Sequence, residues 1–90
     1  MSKKLINVTV FAVDGSVKAK TLNPSESVLK QLQEFVGGWI EIVGPRMAPF
    51  LKQGDCLVVN ENGRLINLEP NPTFSGLVGD VVLMRYNDIP

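Results

Sequence analysis

The chain opens on an apolar, β-branched run, residues 5–13 (LINVTVFAV), that stops at Asp14-Gly15-Ser16. Residues 17–22 (VKAKTL) then alternate, placing Lys18 and Lys20 on one face and Val17 and Ala19 on the other. Two strand patterns joined by a short Asp-Gly turn predict a β-hairpin. After that the period changes. Val28, Leu29, Leu32, Phe35 and Val36 recur at helical spacing, while Lys30, Gln31, Gln33 and Glu34 occupy the positions between them. Asn23 as N-cap, Pro24 at the first helical position and Glu26 closing a capping box predict where this helix starts. Gly37 and Gly38 predict where it ends, because glycine takes the left-handed cap conformation at little steric cost.

Beyond the helix the period returns to two. Residues 39–43 (WIEIV) read as a strand with Ile40 and Ile42 on one face and Trp39, Glu41 and Val43 on the other. Residues 44–54 hold two prolines and two glycines and read as a loop. Residues 56–60 (CLVVN) and 64–68 (RLINL) flank Glu61-Asn62-Gly63 and predict a second hairpin, with Gly63 at a position of positive φ. A proline-rich loop over 69–76 leads to a last strand over 79–86, and the residues after it are expected to fray.

The tally is one helix and about six strands in a single domain, residues 1–90. The expected fold is α+β: the helix packs on one face of a mostly antiparallel, twisted sheet or partly open barrel. Ile40, Ile42, Leu57, Val59, Val81 and Leu83 are expected to meet Val28, Leu32, Phe35 and Val36 in the core.

Composition narrows the function classes. Apolar content of 44% with 20% charged residues is that of a folded globular chain. No apolar run reaches the roughly 20 residues of a membrane-spanning helix. The start of the chain superficially resembles a leader, but Asn7, Thr9 and Asp14 interrupt its apolar run, and the reading is a cytoplasmic protein. The chain has no histidine and one cysteine, Cys56, which argues against an internal disulfide and a zinc site of the usual kind; no metal or cofactor is expected. Cys56 lies in an apolar strand pattern and reads as a buried structural thiol. Net charge is zero, so nucleic acid is not an expected partner. The first third is nevertheless basic, with Lys3, Lys4, Lys18, Lys20 and Lys30 against Asp14 and Glu26.

Residues 43–58 (VGPRMAPFLKQGDCLV) resemble the nucleophile segment of the LexA-like serine proteases, with Gly44, Met47, Pro49, Gly54 and Asp55 in place. Arg46 stands where that family has its serine, and no lysine follows Lys52 to act as base. An arginine stays protonated and cannot act as nucleophile, so an active protease of this kind is excluded. A second resemblance covers about residues 5–86. The block Val36-Gly37-Gly38-Trp39-Ile40-Glu41, the segment Asn60-Glu61-Asn62-Gly63-Arg64-Leu65 and the closing Gly79-Asp80 strand are similar to a small phage and bacterial family known as domain of unknown function 3846. That resemblance implies a phage or mobile-element setting and carries no catalytic residue.

Four side chains are candidates for partner binding. Trp39 is either an exposed anchor or packed over the first hairpin or the helix end. Arg46, Met47 and Phe50 belong to types enriched in interface cores, although Met47 and Phe50 are expected to tuck inward. Asn60, Glu61, Asn62 and Asn71 are explained as turn residues. A carboxylate pair would require Glu41 to converge with Asp55 or Asp80.

The leading expectation is therefore a non-catalytic binding protein that engages, and could inhibit, a host protein through the 44–54 loop and the adjoining strand edge, with a homodimer allowed. A second reading is an oligomer that captures a nucleotide-like ligand, Lys18, Lys20 or Arg46 pairing with phosphate. A third is a degenerate protease-like domain that retains peptide binding.

Overall fold

The structure, a computed structural model, describes residues 4–90. Lys3, counted above in the basic first third, and the first residues of the leader-like stretch lie outside the described residues. The elements run β1 (Ile6–Phe11), β2 (Val17–Leu22), α1 (Val28–Val36), β3 (Ile40–Val43), β4 (Asp55–Asn60), β5 (Val81–Arg85) and a closing 3-10 turn, Tyr86–Asp88. Five strands form one sheet in the order β2-β1-β5-β4-β3, every neighbouring pair antiparallel. The fold is α+β as expected, but β2 and β3 remain as separate edges, so the sheet does not close into a barrel.

The first hairpin forms as the pattern predicts, pairing Val8 with Lys20 and Val10 with Lys18. Its turn is tied by Asp14, whose carboxylate accepts from the Ser16 amide at 2.8 Å. The Ser16 hydroxyl and amide together hold that carboxyl below its ordinary value.

The helix starts later than the capping-box reading placed it. Ser27 is the N-cap, and its hydroxyl accepts from the Lys30 amide at 3.1 Å. Asn23 builds a separate turn, its side chain accepting from Ser25 and its carbonyl from Glu26. The Gln31 side chain clamps that turn by bonding both the amide and the carbonyl of Asn23. The end is where glycine placed it: Gly37 has φ 80°, and the Gly37 and Gly38 amides both donate to the Gln33 carbonyl. Leu32 and Val36 are buried beneath the helix, with Val28 and Phe35 packed beside them. Leu29, counted in the apolar stripe, is an exposed residue at its margin.

The sixth strand, residues 64–68, does not form. Ile66 donates to the Asn62 carbonyl and Leu68 to that of Gly63, so the segment's backbone groups are used in local turns and are lost to a ladder. The positive φ falls on Asn67 (58°) and not on Gly63. Gly63 is needed for space, since a Cβ there would lie 2.8 Å from Val78 Cγ2. The last strand is shorter than the expected 79–86 span, starting at Val81 and ending at Arg85, and the tail does not fray: Ile89 donates to the Tyr86 carbonyl and packs against the core.

Both faces of the sheet are covered, and this corrects the expected core. On the helix side lie Ile40, Ile42, Cys56, Val58, Val82 and Met84, joined by Val8, Val10 and Leu22. Leu57, Val59, Val81 and Leu83 point the other way, together with Val43, and are packed by Ala48, Leu51, Phe74 and Leu77 from the long loops. Ile42 pairs with Val58 and Val58 with Val82, so these three share the helix side. Strands buried on both faces read as continuous apolar runs, which hides their parity.

Two sequence blocks far apart in the chain meet at the end of the helix. The Asn60 side chain is buried and donates to the Val36 carbonyl at 3.1 Å, while its oxygen accepts from Asn62 at 2.8 Å. Gly38 leaves room for it, because a Cβ there would stand 2.9 Å from the Asn60 amide nitrogen. Gly38→Ala is therefore expected to lower stability by about 1–3 kcal/mol in urea unfolding, by displacing a buried hydrogen-bonded amide. In an Asn60→Ala background the same change should cost clearly less. Equal costs in the two backgrounds would show that the contact does not matter.

Candidate functional site

The loop from Gly44 to Gly54 is held at three points. The Gly44 carbonyl accepts from the Met47 and Ala48 amides, Leu51 donates to Ala48, and Asp55 donates to Lys52. Ala48 is buried and Leu51 half-buried against the sheet face opposite the helix. These two small and medium residues do the anchoring expected of Met47 and Phe50. Met47 is instead 72% exposed and Phe50 66% exposed, which corrects their expected inward packing. Arg46 is exposed as expected.

Phe50 is nonetheless ordered by its neighbours. It stacks on Phe74 with centroids 5.7 Å apart, and Phe74 meets Phe11 edge-to-face at 4.9 Å. The loop thus stands as a ridge with concave surface on its flanks. A groove of about 870 Å³ is lined by Pro45, Arg46, Met47, Leu51, Tyr86 and Asn87. On another flank, Met47 also borders a smaller hollow of about 250 Å³ with Glu41, Val43, Leu65 and Leu77. Asp55, which also lines the larger groove, pairs with Arg85 at 3.6 Å; the arginine is mostly exposed, so the ion pair has small energetic weight.

The remaining candidates are dispersed. Trp39 is 66% exposed, so the packed reading fails, and it borders a shallow depression with Lys30, Gln33 and Glu34 of the helix. β3 separates it from the ridge, roughly 16 Å along an extended strand. Lys18 and Lys20 sit on β2, at the opposite edge of the sheet from β3, and share the helix-side face with Val8 and Val10. One chain therefore does not bring them together with Arg46. Asp55 and Asp80 stand at opposite ends of the β4–β5 ladder, about 17 Å apart by strand rise. Asp80 is occupied in accepting from the Val13 amide at 3.0 Å. Among the described residues no three cysteine or acidic side chains converge as a metal-binding group. Burial, together with the nearby Asp55 carboxylate, pushes the Cys56 thiol up from its ordinary value, which keeps it protonated at neutral pH.

Two asparagines proved structural in a fuller sense than a turn. Asn60 ties the helix end to β4, as described above. Asn71 is buried and donates to the Phe11 and Gly79 carbonyls, both at 2.9 Å, while its oxygen accepts from the Thr73 and Phe74 amides. It thereby positions Phe74, and through Phe74 the aromatic support under the ridge. The sequence signal for this role was an asparagine set between two prolines, Pro70 and Pro72.

The architecture defines a class: a small α+β domain whose antiparallel sheet is covered by one helix on one side and by long ordered loops on the other. The chain belongs to the family described as Domain of unknown function (DUF3846), which matches residues 6–89. Comparison with curated proteins and with solved structures gives no match. The blocks that carry the family resemblance, around Val36–Glu41 and Asn60–Gly63, are those that interlock through Asn60 and Gly38. Among the described residues, no helix is long and apolar enough to cross a membrane.

Proposed function

We propose that the chain is a non-catalytic binding protein that engages a partner protein, a host protein in a phage or mobile-element setting, through the 44–54 ridge. The observation that carries this reading is the inversion within the loop. Ala48 and Leu51 face the sheet, while Met47 and Phe50, the larger apolar side chains, face solvent. Exposed apolar side chains on an ordered support, beside a groove with an arginine at its rim, have the composition of a protein-interface core. The groove would also accommodate a peptide, which the degenerate-protease reading shares. The nucleotide-capture reading requires a second subunit, because Lys18 and Lys20 lie on the far side of the molecule from Arg46.

Native mass spectrometry of the chain purified gently from its own cell is expected to show a stoichiometric protein partner. Met47→Ser and Phe50→Ser together should reduce that capture by at least about tenfold, as loss of interface anchors does. Each variant should unfold in urea within about 1 kcal/mol of the parent, since neither side chain is buried. Lys18→Glu with Lys20→Glu should leave capture intact. Capture that survives the Met47 and Phe50 changes would overturn the ridge as the binding surface.

A further inference from the structure

The two edges of the sheet are not equivalent. The Glu61 amide donates to the Trp39 carbonyl at 2.8 Å, which sets the alternation along the β3–β4 ladder. Trp39, Glu41 and Val43 thus turn their backbone groups toward β4. Ile40 and Ile42 turn theirs outward, presenting two N–H and two C=O groups along the open edge of β3. β2, the other edge, carries Lys18 and Lys20, charged residues of the kind that discourage strand pairing. β3 has no lysine, no proline and only four residues.

The side chains beside that edge specify what would fit. On the helix side Ile40 and Ile42 are half-buried and continue the apolar core to the rim. On the opposite face Glu41 is exposed, and Glu61, in the turn just after β4, adds a second exposed carboxylate at the same hollow. Among the described residues the only salt bridge joins Arg85 to Asp55, so neither glutamate has a cationic partner. Arg64, the arginine nearest to Glu61 in sequence, donates to the Gly76 carbonyl.

We infer that β3 accepts an extended segment of a partner protein as a sixth, antiparallel strand, with the pattern apolar–basic–apolar. The residues opposite Ile40 and Ile42 exchange backbone hydrogen bonds with them and extend the apolar rim. The residue between them stands opposite Glu41, at Cβ separations of about 4.5–5.5 Å, and pairs its cation with that carboxylate. A second copy of this chain is a poorer occupant in the symmetric register centred on Glu41, which sets Glu41 directly against its own mate.

The test uses the full chain and a nine-residue, N-acetylated and C-amidated peptide, threonine-flanked with isoleucine–lysine–isoleucine at its centre. Trp39, the single tryptophan and the residue just before β3, reports binding by fluorescence. Saturation is expected to slow amide exchange at Ile40 and Ile42 by about tenfold or more. The lysine peptide should bind about fivefold tighter than its glutamate counterpart, and Glu41→Lys should reverse that preference. N-methylation of the two central isoleucine amides should abolish binding in every case. Urea unfolding of Glu41→Lys checks that the variant is folded. No binding up to low millimolar peptide, equal affinity for both charges, or protection at other amides would overturn the inference. So would protection of Ile40 and Ile42 that grows with protein concentration alone, which would make a second copy the occupant. The inference deepens the partner-binding reading but uses a different surface. Peptide binding that survives Met47→Ser and Phe50→Ser, in a chain whose capture they do not affect, would fail the ridge and leave the edge standing.

Discussion

Leu32→Ala is expected to lower stability by about 2–5 kcal/mol, enough to unfold much of the population at physiological temperature. Leu32 is fully buried and sits where the helix meets the sheet, among Leu22, Cys56, Val58 and Val82. Truncation removes the transfer free energy of the lost methyl and methine groups. It also leaves a cavity that a rigid sheet face cannot collapse to fill. A domain of this length buries a comparatively small share of its surface, so its stability reserve is only a few kcal/mol. Phe35→Ala should cost less than its volume alone would indicate, because Phe35 is only partly buried against the same cluster. Leu29→Ala, one turn away on the exposed margin, should cost under about 1 kcal/mol. Urea unfolding followed by far-ultraviolet circular dichroism measures all three. An unchanged midpoint for Leu32→Ala would refute the assignment of the core beneath the helix. If that variant does not fold at all, Leu32→Val gives a smaller change in the same direction.

The contrast between Leu32 and Leu29 shows where sequence reasoning was informative. The helix was legible because its signals are local: a 3.6-residue stripe and a glycine that ends it. Its start was misread because Asn23, Pro24 and Glu26 also suit a turn, and Ser27 competes for the same capping role. The first hairpin was legible for the same local reasons. The face parity of β4 and β5 was not, since Cys56-Leu57-Val58-Val59 and Val81-Val82-Leu83-Met84 have apolar residues on both sides. Only pairing to β3, where Ile42 meets Val58, resolves it, and pairing is a long-range fact. The Arg64–Leu68 segment looked like a strand because it is apolar and β-branched in part. Its backbone groups are satisfied in local turns, and Leu65 and Ile66 face solvent.

The candidate site divides in the same way. Prolines and glycines marked residues 44–54 as a loop, and that holds. Which of its apolar residues face inward could not be read from residue type, because methionine and phenylalanine suit a core and an interface equally. The partners that decide it, Phe11 and Phe74, lie 39 and 24 residues from Phe50 along the chain. Trp39 was joined to the ridge through the strand edge that adjoins the loop, and the length of β3 separates them.

Asn71 carries the other large expected effect. Replacing it with alanine leaves two carbonyls and two amides without their partner at a buried site, and should cost about 2–4 kcal/mol. Asn71→Asp is the sharper experiment because it keeps the shape and changes the chemistry. An ionised carboxylate still accepts from Thr73 and Phe74 but faces the Phe11 and Gly79 carbonyls with no hydrogen to donate. Burial and those two oxygens disfavour the charged form, so the folded-state pKa of the new carboxyl rises above its unfolded value. The folded state then binds more protons than the unfolded state between the two values, and stability falls as pH rises through that window. Asn71→Asp should therefore be nearer the parent at about pH 4 than at pH 7, the protonated acid donating to one of the two carbonyls. Asn71→Ala should show no such recovery relative to the parent. Because Asn71 positions Phe74 and Phe74 supports Phe50, both variants should also loosen the ridge, seen as altered aromatic side-chain resonances of Phe50 under conditions where the chain remains folded. A pH-independent cost for Asn71→Asp would mean that its side chain is not enclosed by those two carbonyls, and that the ridge is supported in some other way.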